Sequence, residues 1–218
     1  MESTPTLNVN PIYSALDNSA IDKLMGYLNM PEDQWNLCKE PKNATDPQVF
    51  AWRSVAKGSK TEICMKTKIY FPDINMDQII ECYEVENVMK WNDMPVFKCI
   101  QDLPEEQAKL VYTQSKKPGV PMVNQRDFIV KVFNRKGYFV NADGSEAAHV
   151  TVRVEGGEHP DYPTTAKNLT RGIEHCVGTI IYPAPEINGC MVQNVIHKDM
   201  TGSLPEMIIK KASEKGPD

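Results

Sequence analysis

Residues 125–133 read Gln125-Arg126-Asp127-Phe128-Ile129-Val130-Lys131-Val132-Phe133. The run alternates with period two: if Lys131 faces solvent, Phe128, Val130 and Val132 share the opposite face, which is then wholly apolar. Similar runs flank it. Strands are predicted over 96–100 and 108–114 before it, and over 138–140, 147–154, 173–182 and 191–197 after it. Pro104, Pro118-Gly119, Arg135-Lys136-Gly137, Asp143-Gly144 and Asn188-Gly189 stand between these runs as turn formers. Such short connections join antiparallel neighbours.

Toward the amino terminus, 49–55 and 63–71 form a predicted hairpin about Lys57-Gly58-Ser59. Ile12, Leu16, Ala20, Leu24 and Leu28 recur every fourth residue and predict an amphipathic helix over 12–28; a second is predicted over 74–89. A third begins at Ser203, which has capping-box spacing to Glu206 and is followed by Met207, Ile208, Ile209 and Ala212. Helix, hairpin, helix, a long run of strands and a closing helix define an α+β domain spanning 1–218. Its curved antiparallel sheet and carboxy-terminal helix can enclose an internal hydrophobic cavity.

The chemistry-bearing motifs are few. A net charge of −5 argues against a nucleic-acid partner. The six cysteines form no CxxC pair and read as free thiols, which, with no leader-like or 18-residue apolar stretch, favours a cytoplasmic protein. No GxGxxG, P-loop, GxSxG or HExxH motif occurs, so no cofactor is expected. His159 with Asp161, and His197 with Asp199, fall short of three convergent ligands, so no metal is expected. His175 and Cys176 point to opposite faces of a strand and cannot form a nucleophile pair. Along 171–182, placing Glu174 outward sends Ile173, His175, Val177, Thr179 and Ile181 inward. The His175 imidazole then either bonds a neighbouring carbonyl or water, or faces a ligand head group.

Several of these residues form a spaced pattern: Trp91, Arg126-Asp127-Phe128, His159-Pro160 to Pro163, Arg171 with Pro183, and Asp199-Met200-Thr201-Gly202-Ser203-Leu204-Pro205. The pattern resembles the StAR-related lipid-transfer (START) domain family. The resemblance implies a helix-grip fold whose tunnel holds one lipid, of phospholipid, sterol or ceramide-like class. It also implies release at a membrane surface, gated by the carboxy-terminal helix and the 183–189 loop. The lipid contacts expected on that basis are Trp91, Tyr112, Gln114, Phe128, Val130, Val132, Ile173, His175, Val177, Thr179, Met207 and Ile208, with the head group near Gln114, His175 or Thr179. Where choline-lipid members of the family carry an Arg and an Asp, this chain has Val88 and Asn92, and where sterol-binding members carry a buried Arg it has Val132. No catalytic residue is assigned and the chain is not expected to be an enzyme. The alternative is a helix-grip cyclase or hydrolase acting on an apolar substrate, with His175 as its base.

Overall fold

The computed structural model describes residues 8–13, 15–43, 48–54, 61–92, 94–119, 123–141, 146–164 and 168–203. Its strands are β1 (Asn8–Val9), β2 (Trp35–Lys39), β3 (Val49–Ser54), β4 (Glu62–Phe71), β5 (Val96–Leu103), β6 (Ala108–Gln114), β7 (Gln125–Val140), β8 (Glu146–Glu155), β9 (Leu169–Arg171), β10 (Ile173–Ala184) and β11 (Gly189–Asp199). Its helices are α1 (Ser19–Leu28), α2 (Met76–Tyr83) and α3 (Val88–Trp91). All the strands join one sheet in the order β2-β3-β4-β11-β10-β8-β7-β6-β5, with β1 and β9 paired to β7 beside that path. Neighbours along the path are antiparallel; β9 runs parallel to β7. Pairing β4 with β11 sets the amino-terminal hairpin beside the last strand. The sheet does not close into a barrel, since β2 and β5 stand at opposite ends of the path. This is the expected α+β, largely antiparallel architecture.

Both faces are covered, which is why every residue of β7 from Arg126 to Val130 is buried. On one face Ala20, Ile21 and Leu24 of α1 pack on Phe133, Val150, Val152, Ile180 and Val195. Leu24 lies directly over Gly178, where a Cβ would meet its side chain at 2.7 Å, so only glycine lets the helix approach. On the other face Val85 and Val88 pack with Phe97, Val111, Phe128, Val130 and Val132, and Ile80 packs with Ile181 and Val192.

The structure departs from the sequence reading in several places. The first helix begins at Ser19, because Asn10 and Asp17 accept hydrogen bonds from the Ile12 and Ser19 backbone N–H groups and hold the preceding chain in turns. Ile12, counted on the apolar stripe, is 69% exposed in a 3-10 turn. The second helix is broken by Glu84, which is extended at φ −61° and ψ 136°, and α2 starts from an Asn75/Gln78 capping box. Residues 135–137 are not a turn: β7 runs through them, absorbing extra residues as a bulge between Arg135 and Phe139, with Gly137 at φ 62°. Strands β1, β2 and β9 were not anticipated; β2 buries only Trp35 and sits at the sheet edge, where a polar sequence suffices. The turns at 57–59 and 143–144, and the helix predicted after Ser203, from 204 onward, lie outside the described residues. Among the described residues no helix is long and apolar enough to cross a membrane.

Candidate functional site

A bulge in β10 decides what the α2–α3 face presents. Glu174 pairs with Lys198 and Cys176 with His197, leaving His175 as the extra residue. One extra residue inverts the alternation, so Glu174 faces the same side as Val177, Thr179 and Ile181. The outward placement of Glu174 is therefore overturned: its side chain is fully buried. Ile173 and His175 turn instead to the α1 face, where the His175 ring lies 4.6 Å from that of His197. The base of the alternative enzyme reading thus points away from the apolar wall.

The inward Glu174 meets two cations. Lys198 Nζ stands 2.6 Å from Oε1 and Arg153 Nε 3.4 Å from Oε2. Burial alone would raise the Glu174 carboxyl, but Arg153 and Lys198 outweigh it and hold the group below the ordinary carboxylate range. The cations also lie over rings of the wall, Arg153 over Phe97 at 5.8 Å and Lys198 over Phe128 at 5.2 Å. An ionic cluster thus ends an apolar surface made by Phe97, Val111, Phe128, Val130 and Val132. On that surface the Thr113 hydroxyl is fully buried with no hydrogen-bond partner among the described residues. Further along, Thr179 Oγ1 donates to Asn194 Oδ1 at 2.6 Å, Asn194 Nδ2 donates to Thr67 Oγ1 at 3.1 Å, and Tyr83 of α2 donates to the same Asn194 oxygen at 3.3 Å. A cavity of about 370 Å³ opens beside Val85, Lys109, Val132 and Asn134.

Of the expected contacts, Phe128, Val130, Val132, Val177 and Thr179 lie on this face. Tyr112 and Gln114 do not. Register pairs Tyr112 with Ile129 and Thr113 with Phe128, so Tyr112 is buried on the opposite face of the sheet and stacks on Tyr162 with ring centroids 4.2 Å apart, while Gln114 Nε2 donates to the Tyr112 hydroxyl. Trp91 ends α3, but its side chain, like Met207 and Ile208, lies outside the described part. Arg153, Lys198 and Asn194 were missed. The alternation of His149, Thr151 and Arg153 between valines in β8 was the legible signal for Arg153.

Part of the spaced pattern noted in the sequence, Arg126-Asp127, the 159–163 loop, Arg171 and Met200-Thr201, forms a clamp. Arg126, 2% exposed, donates to the carbonyls of Asn124, Met200 and Thr201. Asp127 accepts two bonds from Arg171, whose Nη2 also donates to the Tyr162 carbonyl in the 159–163 loop. Thr201 Oγ1 donates to the Arg171 carbonyl, and Thr201 and Gly202 take the left-handed φ values 47° and 64°. These residues hold the segment leading to Ser203 against the mouth of β7.

The START domain family model matches residues 51–217, and the chain belongs to that family. By sequence, none of the curated proteins matches. Among solved structures, human StAR-related lipid transfer protein 5 aligns with a TM-score of 0.71 at 18% identity, over 91% of this chain and 88% of that one. Human STARD10 aligns at 0.69 and 19%, over 93% and 75%. A StAR-related lipid transfer protein fragment from Xanthomonas axonopodis aligns at 0.55 and 15%, over 84% and 94%. At such identities these likenesses establish the fold.

Proposed function

We propose that the chain binds and transfers a single lipid, its apolar part against Phe97, Val111, Phe128, Val130, Val132 and Val177 and its polar end toward Arg153, Lys198 and Thr113. The observation that carries this reading is the apolar wall ending in a buried ionic cluster. Buried apolar area drives tail binding at about 25 cal/mol per Å². Two cations opposite one carboxylate leave a positive field that complements an anionic or hydroxyl-bearing head group better than a quaternary ammonium. Names of the solved relatives that mention lipid transfer support the same reading. Trp91, Met207 and Ile208 are assigned to the lipid's cover, and 203–212 to a gate that opens at a membrane surface.

The test is native mass spectrometry of the protein after incubation with vesicles of phosphatidylcholine alone or containing phosphatidic acid. One lipid per chain is expected, enriched in the anionic species. Val177, half-buried on the wall, tolerates bulk, so Val177→Trp should fold and lose at least nine-tenths of the bound lipid. No bound lipid, or occupancy unchanged in Val177→Trp, overturns the proposal.

A further inference from the structure

On the α1 face, away from the wall, Glu62 of β4, His175 of β10 and His197 of β11 converge. One ligand-type atom from each lies within 4.8 Å of the others. Nε2 of His175 is 4.0 Å from Glu62 Oε1, and Nε2 of His197 is 3.8 Å from Oε2. The bulge that turns Glu174 inward is what delivers His175 to this place. The sequence pairing of His197 with Asp199 pointed to a neighbour along the strand; the convergent partners come from two other strands.

Tyr27 of α1 adds an orienting contact, its Oη 2.5 Å from His197 Nδ1. With a metal on Nε2 the proton sits on Nδ1, which then donates to Tyr27 Oη. A hydrogen bond to the second ring nitrogen is how metal-bound imidazoles are held in one tautomer and one orientation.

We propose that Glu62, His175 and His197 bind one divalent transition-metal ion of the zinc class, with solvent in the fourth position. Two imidazoles and a carboxylate suit zinc rather than calcium or magnesium, which take oxygen ligands. Tetrahedral bonds of about 2.1 Å place ligand atoms about 3.4 Å apart, so the carboxylate–imidazole separations of 3.8 and 4.0 Å close by about half an ångström, and the imidazole pair, within 4.8 Å, by up to about 1.4 Å, through side-chain rotation. With side chains 18–29% exposed, the site is open to an incoming ion.

Metal-free, tag-free full chain titrated with zinc(II) alone, in competition with a chromophoric chelator, should take up one ion per chain. His175→Ala and His197→Ala should each weaken uptake at least tenfold, and Tyr27→Phe by a smaller factor. Cobalt(II) loading should give the intense visible bands of a tetrahedral site, lost in the same variants. Circular dichroism checks that each variant is folded; His175 sits at a bulge and is 29% exposed, so its removal leaves the core intact. No stoichiometric zinc uptake overturns the proposal. So does uptake unchanged in the His175→Ala/His197→Ala double variant, or calcium binding in preference to zinc.

Discussion

His149 is 1% exposed, neither ring nitrogen has a hydrogen-bond partner among the described residues, and burial lowers it from 6.5 to about 4. The folded state therefore refuses a proton that the unfolded chain accepts. Stability is full above about pH 6.5 and falls as pH drops toward 4, by about 3 kcal/mol for this one group. Urea midpoints at pH 7 and pH 4.5 should show the loss, and His149→Leu should shrink it; an unchanged pH dependence in that variant would contradict the account. Glu174 behaves oppositely to its sequence expectation for a related reason: a carboxylate is tolerated inside when two cations accompany it. Glu174→Ala leaves Arg153 and Lys198 facing each other unpaired and should cost on the order of 3–5 kcal/mol in chemical denaturation. Arg126→Ala orphans three carbonyls and should both lower stability, by about 2–4 kcal/mol, and raise amide exchange over 199–203.

At the scale of elements, close approaches set the geometry. A Cβ at Gly178 would press into Leu24, so Gly178→Ala should lift α1 and cost about 1–3 kcal/mol in thermal unfolding, while Leu24→Ala should cost about 2–5 kcal/mol. The strands of the central sheet were legible because their apolar residues alternate over long runs, and the 49–71 hairpin because its flanks are β-branched and aromatic. The edge strand β2 was not: it is polar, and its pairing with β3 is decided by the partner rather than by its own composition. The candidate site was legible on β7, where the alternation is unbroken from Phe128 to Val132. It was misread on β10, because a bulge leaves no mark in hydrophobic periodicity and Glu174 looks like a surface residue until its cations are known. Tyr112 and Gln114 were expected from the family resemblance and not from alternation along β6, where register sets Thr113 opposite Phe128 and so on the wall.

For the whole molecule, one sheet carries two separate chemistries on opposite sides, an apolar wall with ionic cluster and the Glu62, His175 and His197 group. A ligand bound only to the folded state stabilises it by mass action, so lipid-loaded protein should melt several degrees above the delipidated form, with the shift growing with lipid concentration. A melting temperature indifferent to lipid would count against the wall as a binding surface. The single supernumerary residue at position 175 gives β10 two reading frames. Counting along it without a gap from a relative that lacks the insertion would assign ligand contacts to Ile173 and His175, which look the other way, and would overlook Glu174. In this chain, comparison by position must be replaced, amino-terminal to Cys176, by comparison by partner strand.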